Sequence, residues 1–409
     1  NLTIKTFHAF SALLLREYGN AIGLDPTFVI LDDNQRRDLL RSVDDELSAR
    51  EAKRLLDHIS TAKNRLHTPE SPDLLNEPGA DESFVETYRG YEAALATNNA
   101  LDFDDLLLRC VALLEKSTEV LQTIHARFRW ISVDEYQDVN LAQYRLLRSL
   151  TEGGANLCVI GDPDQAIYGF RGADRRYFLR FDEDYPDAVT LHLSRNYRST
   201  KMILEAATQV IAKSPDREAL DIWSDFVDEV KLDIHPAPTD KAEAEFVVHQ
   251  IEQMVGGTSY FSIDSGRTDG QEREHSFADF AVLYRTTAQV PALREALDRS
   301  GIPYQNANQT TLYTEEDVRA ILAYLWLLHS PTSTLHLGEV FNQDRSVFES
   351  HLLETMTATA RQHQMPAWEM ASQFIMPEMM GFTERKRLMG RVRFLQQLSE
   401  VQSTSTVVD

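Results

Sequence analysis

Asp134 and Glu135 stand side by side at the end of an apolar run, Trp130 to Val133, and a polar stretch from Tyr136 to Asn140 follows them. An apolar run ending in acids reads as a buried β-strand with carboxylates at its carboxyl end, the edge where α/β sheets bind ligands. Acids so placed can hold Mg²⁺ and aim a water at a phosphate. A second apolar run, "NLCVIGD" (156–162), ends in Asp162, with Gln165 close behind. If both runs belong to one parallel sheet, Asp134, Glu135, Asp162 and Gln165 converge. An acid for a metal, an acid for water and a glutamine that senses a terminal phosphate would make half of a nucleoside-triphosphate site. The other half needs a Gly-rich loop ending in Gly-Lys-Ser/Thr, and no Gly-Lys pair occurs anywhere in the 409 residues.

Two further stretches could do chemistry. In "LSRNYRST" (193–200), Arg198 could meet negative charge that builds up on a phosphate, and Tyr197 offers a flat face to a base. In "YGFRGAD" (168–174), Tyr168 and Phe170 flank a glycine and Arg171 follows, a pattern suited to stacking bases along a single strand. Each also has an ordinary reading. Adjacent acids can be a solvated strand end, an arginine in a linker can be a surface residue, and Tyr168, Phe170 and Tyr197 can be core packing.

The elements that must position these residues alternate. Apolar strands at 129–134, 156–162 and 188–199 frame helices at 139–151 and 172–181. A second run of alternation has strands at 231–238, 277–285 and 301–308 around helices at 240–254 and 288–300, with a Gly-, Ser- and acid-rich loop at 255–275. Such alternation is the signature of a parallel sheet. By contrast, residues 9–100 read as helical with no strands of their own, helical at 33–66 and 83–97 around a Pro- and acid-rich loop at 67–83. From 314 onward the pattern is helical again.

Composition bounds the function less tightly. The net charge of −23 argues against nucleic acid only if charge is counted globally; a binding groove needs local positive charge. No apolar run reaches the roughly 18–20 residues that span a bilayer, which excludes a helical membrane anchor within this sequence. The two cysteines, Cys110 and Cys158, both in apolar surroundings, read as buried thiols of a reducing cytoplasm and leave no basis for a zinc or iron–sulfur centre.

Taken together these stretches resemble the superfamily 1 DNA helicases of the UvrD/Rep/PcrA type, over nearly the whole chain. "TFHAF" (6–10) resembles motif Ib, "ISVDEYQDVNLAQYRLLRSL" (131–150) motif II, "VIGDPDQAIYGFRGAD" (159–174) motif III and "LSRNYRST" motif IV. Weaker collinear matches are "AKNRLHTPE", "ALDFDDLLL", "FAVLYRTTAQVPALREALDRSGIPYQ" and "EEDVRAILAYLWLLHSP". The resemblance implies an α/β fold of two RecA-like parallel-sheet domains, both incomplete, with helical insertions. The first would cover 1–8 and 101–192 around an insertion at 9–100; the second would cover 193–330, with 331–409 beginning its insertion. It implies ATP and Mg²⁺, with Asp134 on the metal, Glu135 as general base, Gln165 linking γ-phosphate to DNA, Tyr197 on adenine and Arg198 on the γ-phosphate. His8, Tyr168, Phe170 and Arg171 would lie along single-stranded DNA. Position 170 is often Trp in relatives, so Phe170 keeps a π-face of smaller area. The implied activity is 3′-to-5′ translocation on single strands and unwinding at duplex junctions, by a cytoplasmic monomer acting in repair or replication restart. The phosphate loop would lie upstream of "TFH" and motifs V and VI downstream, so the chain is expected to be a middle fragment that does not hydrolyse ATP by itself. Two alternatives are the helicase subunit of an AddA/RecB-type helicase–nuclease and a non-catalytic DNA-binding scaffold.

Overall fold

The computed structural model describes residues 2–44, 46–213, 222–226, 232–255, 275–306, 316–341, 350–363, 365–374 and 382–404. The chain divides into two compact units, Asn1–Thr190 with Thr314–Asp409, and Leu191–Tyr313.

The first unit is built on helices whose starts are written locally. Side chains at the first position of S/T/D/N-x-x-E/Q/D patterns accept the free N–H groups of the first turn, and the fourth residue reaches back. Asp32 with Gln35 opens α2 (Asp33–Val43), and Ser48 with Glu51 opens α3 (Ala49–Asn64). Asp102 with Asp105 opens α5 (Phe103–Lys116), and Asn140 with Gln143 opens α7 (Leu141–Thr151). Around them stand α1 (Phe7–Tyr18), α4 (Glu82–Thr97) and α6 (Thr118–Arg127). Leu14 and Leu15 of α1 pack with Leu106, Leu107, Cys110 and Leu114 of α5 and with Leu146 of α7 in one apolar core. A second core joins Leu39, Leu40, Ile59, Tyr88 and Tyr91 of α2, α3 and α4. The stretch expected to lack strands contains one: β1 (Val29–Ile30) pairs in parallel with β2 (Ala100–Leu101). Two residues are too few for an alternation to show in sequence.

Between α3, α4 and α5 lies a buried ionic cluster. The Lys63 ammonium, wholly buried, sits 2.8 Å from Asp102, 2.8 Å from Asp105 and 2.6 Å from Glu92. Burial opposes its charge, but these three carboxylates outweigh that and hold it well above the ordinary lysine value. Burial, together with the charge of Asp102, pushes Asp105 up to about 7. The next residue, Asn64, donates to Asp104 (2.8 Å) and accepts from the Asn140 amide (2.6 Å), which ties this cluster to the start of α7.

The sheet beside α7 consists of β3 (Trp130–Val133) and β4 (Asn156–Val159), parallel and in register from Trp130↔Asn156 to Val133↔Val159. It is covered on one face. Val133 packs with Tyr136, Val139 and Leu147, against Leu157 and Val159 of β4 and the aromatics of α8 (Arg176–Leu179) and α9 (Phe181–Asp184). The other face carries Trp130, 80% exposed, and Cys158. Cys158 is therefore not the buried thiol that its apolar neighbours suggested; strand alternation turns it outward. Cys110 is buried, and burial pushes its thiol up to about 12. The single helix expected at 172–181 is broken into a turn, α8 and α9.

Residues 314–409 are mainly helical where described: α13 (Glu316–His329), α14 (Thr334–Phe341), α15 (Ser350–His363), α16 (Ala367–Phe374) and α17 (Phe382–Thr404). Leu327, Phe341, Met356, Trp368 and Leu395 form their core, and Gln35 of α2 bonds Glu339 of α14 at 3.1 Å.

The second unit holds α10 (Lys201–Ile211), α11 (Asp240–Met254) and α12 (Val290–Arg299). Helices α11 and α12 pack through Val248, Ile251, Ala296 and Leu297. The parallel sheet expected here is absent among the described residues; one isolated bridge, Arg195 with Trp223, is the only pairing. Among the described residues the runs expected to be strands form no ladder beyond that bridge, and Phe277–Asp279 is a short 3-10 helix; Leu193 is 93%, Ile234 92% and Leu283 95% exposed. A helix closes its hydrogen bonds within itself, whereas a strand needs a neighbour's backbone. The predicted loop 255–275 lies, but for its ends, outside the described residues, as does the end of the predicted strand 301–308.

Candidate nucleotide site and aromatic turn

Parallel pairing brings the two acid-bearing turns to one edge. Beyond the last ladder pair, Ile160 N–H donates to the Val133 carbonyl (2.8 Å) and Tyr136 N–H to the Ile160 carbonyl (2.9 Å), which locks the turns together. Asp134 is exposed, and its Oδ1 accepts the Glu135 N–H at 3.1 Å. Glu135 adopts the left-handed region, φ 53° and ψ 43°, a conformation that non-glycine residues rarely occupy.

A buried side chain outside the expected set joins the turns. Gln137, 1% exposed, donates from Nε2 to Glu135 Oε2 at 2.6 Å, and its Oε1 accepts the Asp162 N–H at 3.1 Å. Asp162 in turn accepts from Gln165 Nε2 on Oδ2 (2.7 Å) and from the Asp164 N–H on Oδ1 (3.0 Å). Glu135 and Gln165 are thus linked by a continuous chain of hydrogen bonds. The close approach needs Gly161, since a Cβ there would lie 2.5 Å from Gln137 Oε1 and 2.9 Å from the Phe178 ring. Asp138 is raised above the usual carboxylate range by burial and by the charge of Glu135, and eased by the Tyr168 N–H. The Asp174 N–H donates to the Val139 carbonyl (3.0 Å) and connects the acidic turn to the aromatic one.

The aromatic turn is a surface feature. Phe170 is 79% exposed, Tyr168 partly so, their rings 6.1 Å apart, with the Arg171 guanidinium 5.2 and 5.4 Å from them. Core packing therefore does not explain these rings. His8 does not present a charge: its ring stacks on Phe103 at 4.0 Å, and burial lowers its pKa to about 4.

In the second unit the Asn196 carboxamide accepts the N–H groups of Arg198 (2.9 Å) and Ser199 (2.7 Å), forming a turn that leaves the Arg198 side chain exposed. The Arg195 guanidinium lies 4.7 Å from the Tyr197 ring and 5.3 Å from Trp223, and it pairs with Asp225. Trp223 and Gln137 were not found by reading the motifs. The signal for Gln137 was its place two residues after Glu135, inside the motif itself.

Among the described residues no cluster of three or more His, Cys, Asp or Glu side chains could hold a metal. Mg²⁺ needs none, because it is commonly held by one or two carboxylates together with substrate phosphates; the exposed Asp134 carboxylate suits that role. No helix among the described residues is long and apolar enough to cross a membrane.

A parallel pair ending in linked acid and glutamine turns, beside an exposed aromatic–arginine turn, places the molecule among α/β proteins that bind ligands at strand ends. The chain belongs to the UvrD/Rep helicase family. Residues 1–186 match the UvrD/REP helicase N-terminal domain and residues 191–382 the UvrD-like helicase C-terminal domain, membership that implies RecA-like folds. The chain is similar to the ATP-dependent DNA helicase PcrA of Staphylococcus epidermidis, 33% identical over 370 residues, 90% of this chain and 49% of that relative. It is also similar to the ATP-dependent DNA helicase PcrA of Staphylococcus aureus, 34% identical over 343 residues, 83% of this chain and 45% of that relative. The chain spans about half the length of these curated relatives.

Proposed function

We propose that the protein carrying this chain is an ATP-driven translocase on single-stranded DNA that moves 3′ to 5′ and unwinds duplex at junctions, in DNA repair or replication restart. Two RecA-like domains, with boundaries near residues 192 and 330, would carry it. The observation that carries the reading is the linked Glu135–Gln137–Asp162–Gln165 chain at the carboxyl edge of β3 and β4. Glu135 takes the proton of the attacking water, and Gln165 answers to the γ-phosphate. Asp134 would hold Mg²⁺, which when bound neutralises phosphate charge. Tyr197 stacks on adenine and Arg198 meets the γ-phosphate. Tyr168, Phe170 and Arg171 supply rings and charge to the bases and backbone of a single strand. His8, neutral and stacked, contributes shape rather than charge on this path.

The test uses the full open reading frame. Single-stranded DNA should stimulate its ATP hydrolysis, and Glu135→Gln should lower turnover by about 10²–10⁴-fold, the usual worth of a general base, with nucleotide binding kept. Turnover unchanged in that variant would overturn the assignment of Glu135.

A further inference from the structure

We propose that Gln137 is a positioning residue that sets the Glu135 carboxylate and couples it to the Gln165 turn; this rests on the functional reading above. An amide is buried at a cost unless both its ends are bonded. Gln137, 1% exposed, meets that condition with two partners on two different turns. Its orientation is decided by chemistry. The Asp162 N–H can only donate and therefore takes Oε1, so the amine faces the Glu135 carboxylate, whose Oε2 accepts it.

The surroundings make the link specific. Glu135 stands in a left-handed conformation that is costly for a side-chain-bearing residue, and the Gln137 amide holds its carboxylate from beneath. Gly161 removes the one Cβ that would push the amide away. On the far side, Asp162 receives both the Gln137 link and the Gln165 amide, so a shift of the Gln165 turn pulls on Gln137 and, through it, on Glu135. The same turn runs on to Tyr168 and Phe170, and the Asp174 N–H just beyond them donates to the Val139 carbonyl at 3.0 Å. A strand docking on those rings would therefore reach the water-activating carboxylate through one buried amide. The consequence is that stimulation of hydrolysis by DNA passes through Gln137.

The experiment measures ATP hydrolysis by the full open reading frame with and without single-stranded DNA, for wild type, Glu135→Gln, Gln137→Met and Gln137→Glu. Gln137→Met keeps length and removes both hydrogen bonds. It should lower kcat by about 10²-fold, the cost of a misplaced reacting group. KM for ATP should stay within about twofold, and the ratio of DNA-stimulated to basal turnover should fall toward one. Gln137→Glu, which sets an oxygen against the Glu135 oxygen, should lose at least as much and covers the case in which Gln137→Met does not fold. An unchanged kcat, or a preserved stimulation ratio, in a folded variant overturns the proposal while Glu135→Gln still reports the function. A parallel loss of nucleotide binding and thermal stability would mark a merely structural side chain and also overturns it. Hydrolysis by Glu135→Gln at the wild-type rate would sink the functional reading and this inference with it.

Discussion

The acidic turn of the first unit and the Tyr197–Arg198 turn of the second carry equally specific motifs, yet they are supported differently. Glu135 is held by a buried amide, a parallel ladder and a glycine-sized gap, with the ionic cluster of Lys63 tied in through Asn64 and Asn140. Tyr197 and Arg198 are exposed on a surface turn with a single isolated bridge beside it among the described residues, braced at the surface by Arg195, Trp223 and Asp225. A motif says which groups can react; how firmly they are held depends on whether the chain supplies neighbours for the backbone that bears them. Buried, fully bonded groups hold a geometry within tight limits, whereas exposed pairs in water hold it weakly.

The largest expected effect breaks the support of the first turn. Lys63→Met takes the nearest cation from the buried Asp102 and Asp105, while Arg36 stays 3.5 Å from Asp102 and Arg109 stays 2.7 Å from Glu92; the first unit should lose about 3–5 kcal/mol, the cost of removing one partner from a buried ion pair. Chemical denaturation of this chain reads it directly. A midpoint unmoved from wild type would mean that the cluster is not the frame on which α3, α5 and α7 rest.

A smaller effect is visible in pH. The folded His8 pKa lies near 4, below its ordinary 6.5, because burial disfavours the charged ring. Between these values the unfolded chain binds a proton that the folded one does not, so stability contributed by neutral His8 is present above about pH 6.5 and is lost as pH falls toward 4. Asp105 works in the opposite direction and His336, also lowered to about 4, in the same one. Both remain in His8→Phe and cancel in the comparison. The melting temperature of His8→Phe should therefore gain on wild type as pH is lowered from 7 to about 4.5, whereas a constant difference across that range would contradict a buried neutral ring.

The smallest effect belongs to the second unit. Arg195→Ala removes an exposed ion pair and two surface ring contacts, and should change unfolding free energy by less than about 0.5 kcal/mol. A loss several times larger would show that the Tyr197 turn is braced as strongly as the Glu135 turn, and the contrast between the two would fail.

Much of the first unit was legible residue by residue. Asp32, Ser48, Asp102 and Asn140 start helices with side-chain bonds to backbone only two or three residues away, which a linear reading can find. The convergence of Asp134, Glu135, Asp162 and Gln165 was legible too, because parallel strands end on one edge. The exposed side of β3 and β4 was not, since apolar neighbours in sequence do not reveal which face of a strand is covered; Cys158 and Trp130 lie on the open one. Nor were the bare, unladdered runs around Leu193, Ile234 and Leu283, whose β pattern is clear while pairing depends on residues far along the chain.

The amino-acid sequence by itself determined the family and most of the helical stretches of the first unit, both of which rest on short-range spacing. Only the tertiary structure decided that Lys63 would gather acids from α4 and from the start of α5. It alone decided that Gln137 would stand between Glu135 and Asp162. The physical reason is that a buried polar side chain takes the partners that folding brings within about 3 Å, and sequence distance does not measure that.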